Sequence, residues 1–218
     1  MDVSDFINQP YALITLLVAL SILPFLVISC TSFLKIAVVF SLLRNALGIQ
    51  QIPPNMAIYG LALILSLFIM APVGMQINDN LQKTPISFSD PNFFENMNQS
   101  VLEPYMVFLR KNTNEKQVRY FSQIGHKTWP KKYQQRLNKN SLFVMLPAFG
   151  VTQLDESFKI GLLLYLPFVA IDLIVSNILL AMGMMMVSPT TISLPFKIML
   201  FIIAGGWQFL IEKLVLSF

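Results

Sequence analysis

Three ionisable side chains lie well inside apolar stretches of this sequence: Lys35, Asp172 and Lys197. Each would cost roughly 2.5–3.5 kcal/mol if it faced lipid at the centre of a membrane span. The chemistry open to such residues is ion pairing or the conduction of protons or ions, and a lysine can also extend its ammonium group to a membrane surface. Aspartate is too short to do so, and Asp172 is therefore the strongest functional candidate of the three.

The spacing of the charges bears on whether they pair. If the chain turns at Ser188–Ser193, Asp172 lies 16 residues before the turn and Lys197 four residues after it. A straight hairpin would then hold the two at different depths, so a pair within one chain is doubtful. A pair between neighbouring copies is easier to build.

A second candidate site is a run of methionines at the end of the apolar stretch that carries Asp172: Met182, Met184, Met185 and Met186. The methionine side chain is flexible and polarizable, and it repacks when its partner changes shape. Gly183 and Pro189 would interrupt a helix and place the run on a bend or short loop. The run predicts a deformable apolar constriction inside a conduit, with ordinary methionine-rich helix packing as the alternative.

Motifs of the common catalytic and cofactor sites are absent from the sequence. It has no phosphate-binding Gly-rich motif, no HExxH, no Cys/His cluster and no Gly-x-Ser-x-Gly. The only histidine, His126, lies in a polar loop, and the only cysteine, Cys30, excludes an intrachain disulfide. We expect no enzyme activity, no cofactor, no metal and no nucleic-acid partner.

We expect these residues to lie on apolar helices. Of the 218 residues 55% are hydrophobic and 12% charged, about half the charge of an average soluble domain, so we expect an integral membrane protein. Four apolar blocks are long enough to span a membrane, and the first and third are broken by proline and charge. The blocks are Tyr11–Leu43, Met56–Ile77, Ile160–Val187 and Leu194–Phe218.

The blocks predict an all-α fold of two long, kinked helical hairpins around a small polar helical domain. Residues 1–77 form the first hairpin, 78–157 the polar domain and 158–218 the second hairpin. In the turn of the first hairpin, Gly48 would end one helix and Pro53-Pro54 would restart the next, with Arg44 close by. The second hairpin would turn at Ser188–Ser193.

The polar domain holds 10 of the 15 Lys and Arg residues and 7 of the 11 acidic residues. We expect one helix behind Ser100–Glu103, another across Glu115–Gln123, and the start of the third long helix at Thr152. The basic residue in the short first turn favours a cytoplasmic turn, which places the amino terminus and the polar domain outside. The positive-inside rule would instead place the basic polar domain in the cytoplasm, but the rule is weak for a loop of this length.

Three stretches of the sequence together resemble the FliP/SctR family, the R-type inner-membrane component of the export gate in bacterial type III secretion systems and flagella. They run from Thr31 to Met56, from Pro147 to Gly161, and from Pro167 to Pro189. The order and spacing of the stretches match over nearly the whole chain, whereas residues 80–139 carry little that counts as a motif.

The resemblance implies several copies of the chain, joined by smaller membrane subunits, wound into a helical cone through which unfolded secreted proteins cross the inner membrane. It implies that Met184, Met185 and Met186, next to Met182, form a gasket that closes the pore. It also implies that much of the hairpins stands above the lipid, where Lys35 and Asp172 are tolerated. The partners would be further copies, the other gate subunits, secreted proteins and lipid, with the polar domain in the periplasm.

The first six residues include two acids and no base, so we expect no cleaved signal peptide. Flagellar members of the family usually carry one, so the resemblance favours the virulence injectisome branch. Two other functions stay open. One is a small ion channel or transporter that uses Asp172 and Lys35, and the other is a structural scaffold for membrane subunits.

Overall fold

The computed structural model describes residues 10–49, 53–83, 96–134, 137–138 and 141–218. Regular structure in these ranges is entirely helical, which confirms the all-α class. The helices are α1 (Pro10–Cys30), α2 (Phe33–Leu47), α3 (Asn55–Lys83), α4 (Glu103–Lys111), α5 (Glu115–Thr128), α6 (Lys131–Gln134), α7 (Leu142–Ala181), α8 (Pro189–Ile203) and α9 (Gly206–Leu216). A π-helical turn, Asn98–Leu102, leads directly into α4.

The short helix α2 forms the centre of the main core. Its apolar residues recur with helical spacing, and Ile36, Val39, Phe40 and Leu43 are buried. The neighbouring helices α3, α7, α8 and α9 all contribute to the same cluster. The closest approach is at Gly161 of α7, where an added Cβ would lie 2.2 Å from Cδ1 of Leu42.

The polar region packs against the first half of α7. Met106 and Leu109 of α4 form a second core with Met145 and Phe149 of α7. The side-chain amide of Gln153 donates to the carbonyl of Asn112 at 2.8 Å, which fixes the loop between α4 and α5 on α7. This packing explains why α7 begins at Leu142 and not at Thr152, since its first ten residues bury apolar side chains. The predicted helix at Glu115 is present and extends to Thr128.

The breaks in the apolar blocks differ from the predicted ones. The predicted break of the third block is wrong, because α7 runs unbroken through Pro167 and Asp172. Pro24 lies inside α1, and the first block breaks at Thr31 and Ser32 instead. There, the Thr31 hydroxyl bonds the carbonyl of Val27 at 2.5 Å and accepts from the Phe33 amide at 3.2 Å, so it competes with the helix. The fourth block is not a simple span, because α8 and α9 meet at 61° around Gly205, whose φ is +60°.

The turn between α2 and α3 follows the prediction. Gly48 ends α2 with a left-handed φ of +79°, and its amide bonds the carbonyl of Asn45 at 3.1 Å. Pro53 and Pro54 immediately precede the start of α3.

Helices α1, α3 and α7 are long and apolar enough to cross a membrane, and α8 with α9 would be a fourth, broken span. Large apolar side chains along α1 are exposed, as are those on one side of α7. A surface of this kind needs lipid or protein against it.

Candidate functional site: a methionine turn and two buried lysine pairs

The methionine run forms the loop between α7 and α8. Helix α7 ends at Ala181 and α8 begins at Pro189, so the predicted turn at Ser188–Ser193 is wrong: those residues are the first turn of α8 and its cap. The reason is Gly183. Its φ of +74° is the left-handed conformation that ends helices.

Two backbone bonds complete this helix end. The amide of Gly183 bonds the carbonyl of Leu180 at 3.0 Å, and that of Met184 bonds the carbonyl of Leu179 at 2.9 Å. Together they form a Schellman motif. Its bonds lie within the backbone, so the turn does not depend on contacts of the methionine side chains.

Met182, Met184, Met185 and Met186 all expose their side chains at this turn, and Met186 is fully exposed. If these exposed thioethers packed against a partner, they would exclude water from the contact. Because each has several rotatable bonds, the surface adapts to what it meets.

Lys197 and Asp172 form an ion pair within one chain. The ammonium of Lys197 lies 2.7 Å from Oδ2 of Asp172, while Oδ1 accepts a hydrogen bond from the Ser193 hydroxyl at 2.5 Å. The expectation that this pair is difficult within one chain is wrong, because the turn comes earlier than predicted. Asp172 lies nine residues before the end of α7 and Lys197 eight residues after the start of α8, so the two reach the same depth.

Lys197 also stabilises the end of α2. Its ammonium donates to the carbonyl of Ala46 at 3.3 Å, one of the last four carbonyls of the helix, which have no partner within it. A cation at a helix carboxyl end interacts favourably with the helix dipole. One buried side chain thus connects α2, α7 and α8.

Lys35 forms the second pair, at the opposite end of α2. Its ammonium lies 2.6 Å from Oε2 of Glu156 on α7 and 4.5 Å from the ring centroid of Phe218. A cation in the first turn of a helix is unfavourable to the dipole, and the carboxylate and the ring offset this. Lys35 therefore does not meet Asp172: each belongs to a different pair.

Both lysine side chains are buried, 1% exposed for Lys35 and 4% for Lys197. They do not extend to a surface, so that interpretation does not hold for the folded chain. Their carboxylates are more open, 42% for Glu156 and 32% for Asp172. Each pair thus presents an acidic group outward.

Sequence reasoning missed Glu156, Phe218 and Ser193. A signal for Glu156 was present: Asp155 pairs with Lys159 one turn on, at 2.6 Å, so the adjacent carboxylate lies about 100° round the helix, on another face. The sequence gives no indication that Ser193 contacts Asp172, because the predicted turn includes Ser193. The ring of Phe218 reaches Lys35 only through the bend before α9.

Arg44 and Asn55 join the two ends of the first turn by a hydrogen bond from the guanidinium to Oδ1 of the amide. Near the other end of α2, burial and then the proximity of Cys30 raise the pKa of Tyr105 well above its ordinary value. The phenol therefore stays protonated and donates to the Cys30 carbonyl at 2.8 Å. Within the described ranges, no group of three or more His, Cys, Asp and Glu side chains could hold a metal ion.

The model of the FliP family matches residues 16–214. Virulence protein YscR of Salmonella typhimurium is 52% identical over 211 residues, which cover 97% of this chain and 98% of that protein. Yop proteins translocation protein R of Yersinia pestis is 53% identical over 206 residues, covering 94% of this chain and 95% of that protein. Harpin secretion protein HrcR of Erwinia amylovora is 42% identical over the full length of both chains.

Proposed function

This chain belongs to the FliP family, and on that basis we propose that it is a subunit of the export gate of a bacterial type III secretion system. With copies of itself and smaller membrane subunits it would form a pore for unfolded proteins across the inner membrane. It acts as a component of a secretion apparatus and not as an enzyme. The names of its relatives refer to virulence, Yop translocation and harpin secretion, which supports the injectisome branch over the flagellar one.

The observation that carries the proposal is the methionine turn. A conduit for unfolded chains must pass many kinds of side chain without binding any of them strongly, and it must hold back ions when idle. A ring of exposed, flexible thioethers from several copies meets both needs. We propose Met182, Met184, Met185 and Met186 as this gasket, on a turn that Gly183 fixes.

The two lysine pairs keep each subunit in shape for assembly. They hold α2 to α7 at both ends, so that the methionine turn has a defined position relative to the core. In the assembled cone, the outward carboxylates of Asp172 and Glu156 would face a neighbouring subunit or water, because either is less costly than lipid. The exposed apolar faces of α1 and α7 would contact other subunits and lipid, with the central polar region on the periplasmic side.

The channel hypothesis finds less support. It needs Asp172 and Lys35 on one conduction path. The two belong to pairs at opposite ends of α2, and along that helix Lys35 and Ala46 are roughly 16 Å apart. An ion that passed from one pair to the other would have to cross the buried apolar face of α2.

The test is to delete the coding sequence in its host and to compare the culture supernatant by mass spectrometry with and without complementation by the full chain. Loss of needle-type and effector-type proteins, with motility intact, is the expected result. Loss of flagellin and hook proteins would move the chain to the flagellar branch. An unchanged supernatant would contradict the export function.

A further inference from the structure

A basic surface of the polar region lies apart from the methionine turn and the two buried lysine pairs. Between Glu115 and Asp155 the sequence contains seven lysine or arginine residues and no acidic residue. Three of them, Lys127, Lys131 and Lys132, are exposed where α5 meets α6. Within the part of the chain that the structure describes, none of these three lysines belongs to an ion pair.

Aromatic side chains lie among these lysines. Trp129 and Phe143 form an edge-to-face pair with ring centroids 6.0 Å apart, and the outer side of Phe143 is exposed, as is Tyr133. The ammonium of Lys132 lies 5.8 Å from the centroid of the Tyr133 ring. We call this surface the basic corner; it consists of Lys127, Trp129, Lys131, Lys132, Tyr133 and Phe143.

Hydrogen bonds and packing support the backbone of the basic corner. The side-chain amide of Gln134 donates to the carbonyls of His126 and Trp129, both at 2.9 Å. Behind it, Leu137 is buried against Gly125, where an added Cβ would lie 2.9 Å from the leucine. A backbone supported in this way reduces the entropy cost of binding a partner.

We propose that the basic corner binds an acidic protein segment that carries apolar side chains between its carboxylates. Three uncompensated ammonium groups attract and orient such a segment. The exposed faces of Phe143 and Tyr133 supply the apolar contact, and aromatic residues of this kind are enriched at the centres of protein interfaces. This role is independent of the proposed conduit.

The position of the corner along α7 favours a protein over a lipid surface. The exposed charges of Asp155 and Lys159 precede the most apolar part of α7. Because exposed charges are costly in lipid, we infer that lipid contact begins after them. Phe143 lies 12 to 16 residues before these charges, which is roughly 18–24 Å along a helix. The headgroup layer is only about 5–8 Å thick on each side, so the corner stands beyond its reach.

The experiment uses the full chain in phosphatidylcholine nanodiscs and a fluorescein-labelled peptide of alternating Glu and Phe. Fluorescence anisotropy at low salt measures the dissociation constant. The test variant carries three substitutions in the corner, and the control carries three substitutions of exposed basic residues outside it, with the same change in net charge. They are Lys127→Gln, Lys131→Gln and Lys132→Gln, against Arg110→Gln, Lys111→Gln and Lys116→Gln.

We expect the corner variant to bind at least about tenfold more weakly and the control to change by less than about threefold. Phe143→Ser should weaken binding of the Glu–Phe peptide. Polyglutamate of equal charge should bind the native chain more weakly than that peptide.

Equal weakening by both triple variants would show a net-charge effect and overturn the proposal. The absence of peptide binding to the native chain would overturn it too, as would polyglutamate binding as tightly as the Glu–Phe peptide. Binding of the native chain and of the corner variant to empty phosphatidylglycerol nanodiscs is measured as well. If the corner variant loses binding to these nanodiscs but still binds the peptide as the native chain does, the surface is a lipid site and the protein partner is rejected.

Discussion

The pair of Asp172 and Lys197 leads to an asymmetric prediction. Asp172→Asn removes the charge but keeps an oxygen that can accept from Ser193. It leaves an ammonium only 4% exposed, with the carbonyl of Ala46 as its remaining partner. Breaking a buried pair in this way costs about 3–5 kcal/mol. We expect a loss near the lower end, about 3 kcal/mol of unfolding free energy, because Asn still supplies a dipole.

Lys197→Met should cost less. The carboxylate that remains is 32% exposed and keeps its hydrogen bond from Ser193, so water can solvate it. The loss of the cation from the end of α2 adds about 0.3–1 kcal/mol, and we expect about 1–2 kcal/mol in total. The double variant should lose about as much as Lys197→Met alone. The coupling energy then equals the loss for Asp172→Asn, about 3 kcal/mol.

The assay is denaturant unfolding of the four proteins in one detergent, followed by circular dichroism. Asp155→Asn is the control, since its pair with Lys159 is exposed and should be worth less than about 0.5 kcal/mol. Additive effects of the two substitutions would show that the two side chains do not stabilise each other. A smaller loss for Asp172→Asn than for Lys197→Met would contradict the predicted asymmetry. A coupling that disappears on dilution would place the pair between copies.

Three further changes follow from local geometry. Gly183→Ala should lose about 1 kcal/mol in unfolding free energy, because its left-handed φ strains any side chain; Gly74→Ala, a helical site with open space, should instead gain about 0.5–1 kcal/mol. Gly161→Ala should lose about 1–3 kcal/mol of unfolding free energy through overpacking against Leu42. Adding Leu42→Ala should recover part of this loss in thermal melting, and no recovery would contradict the close contact between Gly161 and Leu42. Glu156→Gln should lose about 1–3 kcal/mol, because the buried Lys35 ammonium keeps an aromatic ring and an uncharged amide oxygen but no carboxylate. A change within error in denaturant unfolding would show that the pair is not stabilising.

Local signals made part of the structure predictable. Gly48 ends α2 because only a residue without Cβ adopts its conformation easily, and composition alone establishes helices rich in apolar residues. Gly183 carried the same signal as Gly48. It correctly predicts a break at the methionine run. The polar residues after it favour a hairpin turn at Ser188–Ser193 instead, so the predicted turn lies too late and the predicted difference in depth between Asp172 and Lys197 is wrong.

The remaining features depend on tertiary packing that no local pattern reports. The start of α7 at Leu142 depends on apolar contacts with α4, and the break at Thr31 depends on its hydroxyl and on Ser66, 35 residues away. The pairing of Lys35 with Glu156 joins residues 121 positions apart. Its ring partner reaches it only because the chain bends before α9.

The most direct test of the proposed gasket is the ionic conductance of purified, assembled gates in planar bilayers. The variant carries Met184→Ala, Met185→Ala and Met186→Ala. A matched control replaces three exposed methionines elsewhere, Met56, Met75 and Met199, with alanine. We predict a higher resting conductance for the turn variant alone, with the native assembly size retained on a native gel. An assembled turn variant that conducts no more than the control would contradict the proposed gasket.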